Sequence, residues 1–243
     1  MRRYGWKRDK FDARDVKFKL RAPASVPQAV DLRHLDVPVF DQGDLGSCTA
    51  NATCGALEFL AKRAKNSADV LSRLFVYYNE RLNEGTVNED SGASIRDIIK
   101  AVSKYGACPE SDWPYLIDNF KIKPPEEAYK DGLLNKDFSY QRIMDLNGMK
   151  MCLASGYPFI FGFIVFESFE GSAIAKTGHM PMPGHKEKEL GGHEVMCVGY
   201  NDHSKEMLVK NSWGTVWGDK GYFYMPYDYI TNPQLASDFW TIR

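Results

Sequence analysis

The chain has 243 residues, 44% of them hydrophobic and 26% charged, with a formal net charge of −1. That length suits one large domain or two lobes sharing a cleft, with ample apolar side chain for a core. The balance excludes a disordered chain, and the near-zero charge excludes a whole-molecule footprint for nucleic acid.

The N-terminal arm stands apart. Residues 1–22 hold nine basic residues (Arg2, Arg3, Lys7, Arg8, Lys10, Arg14, Lys17, Lys19, Arg21) against Asp9, Asp12 and Asp15. The arm is therefore +6 and residues 23–243 are −7. Such an arm is either a solvated tail or a segment that docks back onto the acidic body. No apolar run follows the basic start, so it does not read as a secretory leader.

The first chemically suggestive stretch is Gln42-Gly43-Asp44-Leu45-Gly46-Ser47-Cys48. A glycine-rich turn runs here into a helix whose first residue is a cysteine. Free N–H groups and the positive end of the dipole at a helix start favour thiolate over thiol. The competing reading is a small buried core residue, the usual fate of a free cysteine. Small or apolar residues at Ala50, Cys54, Leu57, Ala61 and Ala64 predict one buried helical stripe, which assigns Cys54 to the core. Two more helices are expected. One starts at Ser72 and carries Leu74, Phe75, Tyr78 and Leu82. The other starts at Ser94, carries Ile95, Ile98, Ile99 and Val102, and stops before Gly106.

The pattern changes between residues 120 and 145, through Pro124-Pro125. Segments 159–166, 194–200, 206–210 and 221–225 are short, rich in β-branched and aromatic residues, and bounded by turn formers. They read as strands of an antiparallel sheet. The longest apolar run, Tyr157 to Phe166, has ten residues and is too short to span a bilayer. A helical lobe facing a β lobe across a groove is the expected architecture, and such junctions commonly hold binding sites.

Within the β half, Gly191-Gly192-His193 opens a strand, and Met207-Leu208-Val209-Lys210 returns into Asn211-Ser212-Trp213-Gly214. A hairpin centred near Asp202 sets His193 opposite Asn211. A neutral amide that takes an imidazole N–H fixes the ring without adding charge, which suits a histidine paired with a thiolate. Alone, His193 would read as a satisfied structural histidine; the aligned Asn211 and the neighbouring Trp213 favour the functional reading. The five cysteines, Cys48, Cys54, Cys108, Cys152 and Cys197, include no CxxC pair and read as mostly reduced thiols. His179, His185 and His203 match no common metal-ligand spacing, and no cofactor is expected.

Together, Gln42…Gly46-Ser47-Cys48, His193, Asn211-Ser212-Trp213-Gly214 and Trp217-Gly218 resemble, in order, the active-site signatures of the papain and cathepsin family of cysteine peptidases. Val30-Asp31-Leu32-Arg33 is similar to the start of the mature enzymes. Ser91-Gly92-Ala93-Ser94 is similar to the glycine-bearing wall of their cleft, and Cys108-Pro109-Glu110-Ser111-Asp112-Trp113-Pro114-Tyr115 to a stretch ending in Tyr-Pro-Tyr. The resemblance runs from about residue 27 to the C-terminus. It implies an α+β, two-lobed papain-like fold, with a helical left lobe (about 40–135), an antiparallel β right lobe (about 136–243) and an active-site cleft between. Residues 1–26 then form a basic extension, a possible short propeptide lying in or beside the cleft.

By the same resemblance Cys48 is the nucleophile, His193 its base, Asn211 the orienting residue, and Gln42 with the Cys48 backbone N–H the oxyanion hole. Gly46, Ser47, Ser91, Gly92, Gly192, Trp213, Ser237 and Asp238 are expected to bind substrate. Asp238, if it points inward, would admit basic side chains at the second position before the scissile bond; Ser237 alone would admit apolar ones. The implied activity is endopeptidase hydrolysis of peptides or proteins by a monomer that neither inserts into membranes nor binds nucleic acid. The expected location is cytoplasmic, or outside the cell by a non-standard route. An inactive peptide-binding homologue, a ligase or an isopeptidase would share the same residues.

Three departures stand out. Leu45 replaces a cysteine that often forms a disulfide, Thr49 replaces a tryptophan after the nucleophile, and Glu194 replaces a small apolar residue after the histidine. On an alternating strand Glu194 is expected to point away from His193. The loop Thr177 to Leu190 is longer than in papain and is either a flap over the cleft or an exposed decoration.

Overall fold

The computed structural model describes residues 2–19, 26–65 and 68–243. The first half contains β1 (Trp6–Lys7), β2 (Ala29–Asp31), α1 (Cys48–Lys65), α2 (Arg73–Glu84), β3 (Ala93–Ser94), α3 (Ile95–Tyr105) and α4 (Glu126–Gly132). The second contains β4 (Tyr140–Arg142), α5 (Leu146–Ala154), β5 (Phe159–Phe166), α6 (Ser172–Thr177), β6 (Glu189–Asn201), β7 (Glu206–Lys210), β8 (Tyr222–Pro226), α7 (Tyr227–Ile230) and β9 (Ala236–Ile242).

The helix boundaries follow from their caps. Ser72 accepts the Phe75 N–H to start α2, and Gly85 ends it at φ +74°. Ser94 accepts the Asp97 N–H to start α3, and Gly106 ends it at φ +72°. Both stops use the left-handed backbone that glycine adopts without steric cost. The expected stripes of α2 and α3 are buried except for Leu82, which is 39% exposed.

The single stripe expected on α1 does not describe that helix. Ala50 and Cys54 pack into one core with Leu74, Phe75, Ile98 and Val102. Ala52, Ala56 and Phe59 pack into a second core with residues of the sheet, and Ala64 is exposed. α1 is buried on two sides because it lies between the helical layer and the sheet, and a one-faced pattern is the signature of a helix with one partner.

The sheet has seven antiparallel strands in the order β4-β9-β5-β6-β7-β8, with β2 also pairing with β6. β5 (FIFGFIVF) is buried along nearly its whole length, so it shows an apolar run instead of an alternation. Cys48 thus stands at the N-terminus of α1 where the two layers meet, and β6 carries His193 to the same seam.

Candidate active site

The Cys48 side chain is fully buried. The backbone of Glu194 on β6 and that of Gly5 of the arm lie near its sulfur and favour the thiolate. The first contact brings the thiol to the residue adjoining His193. Burial pushes the thiol pKa up to about 12, with the Glu194 and Glu80 carboxyls adding to the rise.

His193 is also fully buried, with Phe163 and Phe169 on one side and Trp213 stacked against it at 5.3 Å. Its Nε2 donates to Asn211 Oδ1 at 2.8 Å. Nδ1 is buried and has no hydrogen-bond partner among the described residues. Burial drives the imidazole pKa down to about 4, against the pull of the Asn211 hydrogen bond. A neutral thiol and a neutral imidazole are what desolvation favours when water cannot reach either.

His193 and Asn211 do meet, but not as directly opposed residues. β6 and β7 pair Met196 with Lys210 and Tyr200 with Met207, with a bulge between Cys197 and Gly199. The turn runs through Asp202–Lys205, with Lys205 at φ +57°, so the hairpin centre lies past Asp202. Continuing that register sets Asn211 opposite Val195. The amide reaches His193 as a diagonal same-face neighbour, a distance that side chains readily span.

Gln42 is fully buried and held at both ends of its amide. Oε1 accepts from Ser212 Oγ at 2.6 Å, while Nε2 donates to the Leu45 carbonyl at 2.8 Å and to the Arg3 carbonyl at 3.3 Å. Gly46 donates its N–H to the Asp90 carboxylate, and Ser47 is buried. Trp213 packs edge-on to Trp217 at 5.0 Å and shields the His193–Asn211 bond from water. Ser91 hydrogen-bonds to Thr86 and to the Gly92 carbonyl. Of the remaining substrate-site candidates, Gly92 meets Gly5 of the arm, Gly192 meets Trp6 and Asp238 accepts the Asp9 N–H, while Ser237 pairs with Gly162 on the adjoining strand.

That arm runs through the groove. β1 pairs parallel with β3, Trp6 opposite Ala93, and the Ala93 N–H donates to the Gly5 carbonyl at 2.8 Å. A Cβ on Gly5 would stand 1.8 Å from the Gly46 carbonyl oxygen, and one on Gly92 would stand 1.8 Å from the Gly5 oxygen. Only a chain without side chains on both walls passes at that distance. Tyr4 sits edge-on to His193 at 5.9 Å, and Arg2 lies over Trp213 at 5.1 Å.

Ion pairs pin the arm: Arg2 to Asp41, Arg3 to Asp90 and Lys7 to Glu84. Its acids matter as much as its bases. Asp9 and Asp15 are engaged by Arg96 and Arg142, and Arg142 also holds Asp238 at 2.6 Å. Arg21 and the rest of 20–25 lie outside the described residues.

Sequence reading did not single out Tyr4, Gly5, Trp6 or Gly162. The last carried a visible signal. A glycine inside an otherwise bulky strand marks the close approach of another group, and Trp6 lies there. Glu194 points, as expected, away from His193, toward Thr53 on α1. The loop after α6 is partly tied down: His179 stacks on Tyr224 at 4.7 Å, and Met180 is buried.

Comparison with known proteins agrees with this geometry. A family model described as papain family cysteine protease matches residues 26–240. The chain is 43% identical over 270 residues to an uncharacterized peptidase C1-like protein of Acanthamoeba polyphaga mimivirus, covering 100% of this chain and 87% of that one. It is 31% identical over 209 residues to cathepsin K of Gallus gallus, covering 81% of this chain and 58% of the relative. Among solved structures, xylellain, a cysteine protease from Xylella fastidiosa, superposes with a TM-score of 0.90 at 41% identity, covering 100% and 97% of the two chains. Digestive procathepsin L 3 of Tenebrio molitor larval midgut gives 0.71 at 20% identity over 94% and 74%, a likeness of fold.

Proposed function

The chain belongs to the papain family of cysteine proteases, hydrolases of peptide bonds, and from that premise we propose that it is a latent endopeptidase acting through a Cys48 thioester. The observation that carries this reading is the His193 ring: Nε2 is fixed by Asn211, and Nδ1 is left without a partner on the strand whose next residue, Glu194, lies near the Cys48 sulfur.

With the groove open to water and substrate, the thiol proton passes to Nδ1 of His193, and the thiolate attacks the peptide carbonyl. The resulting oxyanion is received by Gln42 Nε2 and the backbone N–H of Cys48. The imidazolium then returns its proton to the leaving amine, and water cleaves the thioester with His193 as base. Asn211 holds the ring in one orientation, and Trp213 keeps that bond dry.

The arm opposes each of these steps. It buries the thiol, runs Gly5 close to the sulfur and gives the Gln42 donor the Arg3 carbonyl. Its removal from the groove is the activating event.

The test is trapping with a thiolate-selective epoxide followed by peptide mass spectrometry. Label confined to Cys48, with loss of peptide hydrolysis in proportion, is the expected result. Folded protein that takes no label under any condition that opens the arm would sink the reading.

A further inference from the structure

The described side chains leave an unmatched set of polar atoms beneath Trp6. The indole, 5% exposed, fills a recess made by two glycines. A Cβ on Gly162 would meet the ring at 1.8 Å and its Nε1 at 2.2 Å, and one on Gly192 would meet it at 2.6 Å. Gly162 pairs across the sheet with Glu194 on one side and Ser237 on the other. Directly paired residues point to the same face with Cβ atoms about 5 Å apart. Glu194 and Ser237 therefore flank the floor on which the indole lies.

Neither residue is satisfied there. Glu194 is 1% exposed, and its Oε1 has only a long contact to Thr53 Oγ1 at 3.5 Å. Among the described residues its Oε2 has no hydrogen-bond partner, and neither do Ser237 Oγ and Trp6 Nε1. The indole matches the recess in shape and leaves its acceptors without donors. Buried acceptors left unpaired are costly, so an occupant that supplies donors is favoured over one that does not.

Asp238 is not the acid that fills this role. Its backbone stands at φ +60°, and its carboxylate is taken by Arg142 and by the Asp9 N–H. The other charges near the recess are Glu80, bonded to Thr49, with Asp9 and Asp238 beyond it; Lys7 lies toward Glu80, and Arg8 lies over the outer face of the indole.

We propose that, once Trp6 is withdrawn, this recess selects a long basic side chain of the substrate peptide, with Glu194 as the specificity-determining residue and Ser237 as a second acceptor. A guanidinium is flat like the indole and presents five N–H donors in a fixed fork, which fits a carboxyl and a hydroxyl facing each other across a glycine. The assignment rests on the peptidase reading above.

The test uses the full chain carrying Trp6→Ala, with fluorogenic peptides that have arginine or leucine at each of the three positions before the cleaved bond. At one position kcat/KM for arginine should exceed that for leucine by about tenfold or more, the size of one charge-assisted hydrogen bond. Adding Glu194→Gln should erase that preference, with the ratio of kcat/KM for arginine to that for leucine falling to about one or below. A preference for leucine at all three positions would overturn the inference without any second variant. So would an arginine preference that survives Glu194→Gln in a folded protein. Cys48 labelling by the epoxide in the same samples separates the two failures: label without arginine selectivity removes only this inference, whereas no label and no hydrolysis removes the peptidase reading with it.

Discussion

Gln42 donates to Leu45 and to the arm's Arg3 while Ser212 fixes its other end, so its N–H is aimed before any substrate arrives. A donor held in place contributes most when charge develops on the carbonyl oxygen. Gln42→Ala in arm-opened protein should therefore lower kcat by about 10²–10³-fold, roughly 3–4 kcal/mol, with KM nearly unchanged. Steady-state kinetics on a single peptide read this directly. A rise in KM with kcat preserved would mean that Gln42 holds ground-state substrate instead. At this scale the sequence was informative wherever chemistry demands a residue type at a spacing: Gln42, Cys48, His193 and Asn211 all come to one seam. It was silent about Trp6, because nothing in an isolated Gly-Trp-Lys reports that a groove wall at Ala93, 87 residues further along the chain, will receive it. The choice left open between Ser237 and Asp238 turned on a single left-handed backbone angle that no local pattern announces.

The arm behaves as an added element of the fold, with its own strand pairing, buried aromatic and ion pairs. Trp6 is its buried aromatic, whereas Tyr4 and Phe18 are only partly covered and Phe11 is 93% exposed. Trp6→Ala should weaken docking by about 3–5 kcal/mol, the usual cost of deleting a large buried aromatic. Because docking occludes Cys48, that loss appears as reactivity: the rate of Cys48 alkylation at pH 7 should rise at least about a hundredfold over the unaltered chain. Equal rates in the two proteins would mean that the indole does not hold the groove shut. Charge alone left the arm as either a solvated tail or a docked segment, and the pairs Arg2–Asp41, Arg3–Asp90 and Lys7–Glu84 are those of a docked one. Its register was not legible, because the decisive contacts are Gly5 passing Gly46 and Gly92, and glycines look alike in a sequence. The hairpin of β6 and β7 gives a similar case. Its strands were legible, but the exact centre depended on a four-residue turn and a bulge, which shift register without altering composition.

For the molecule as a whole, closing the groove is linked to protons, and the groups involved act with different signs. The closed thiol and imidazole are both neutral, with pKa values pushed to about 12 and about 4. In the open enzyme proposed above, the same single proton would sit on the imidazole, with the sulfur ionised. Closure then moves a proton within the pair and exchanges none with water, so this pair adds no slope between those limits. The carboxyls do add one. Glu194 is raised by burial and by Glu80, and Asp238 by burial and by Asp9. A raised acid supports the closed state fully below its ordinary value near 4 and loses that support as pH climbs through the raised value. Burial also opposes the charge on Asp15, but hydrogen bonds from Arg96 and Arg142 hold its pKa below 3.8. Its support is present above that value and lost as pH falls through the lowered one. The arm should therefore be tightest in mildly acidic solution, slackening as pH rises through the raised values of Glu194 and Asp238 and again as it falls through the lowered value of Asp15, by no more than about tenfold per pH unit for each proton involved. Hydrogen exchange of the Ala93 amide, bonded to Gly5 in the closed form and corrected for intrinsic pH dependence, measures this. Glu194→Gln should reduce the alkaline limb to the share carried by Asp238 and leave the acid limb in place. If the alkaline limb is undiminished in that variant, Glu194 is not the group whose ionisation accompanies opening.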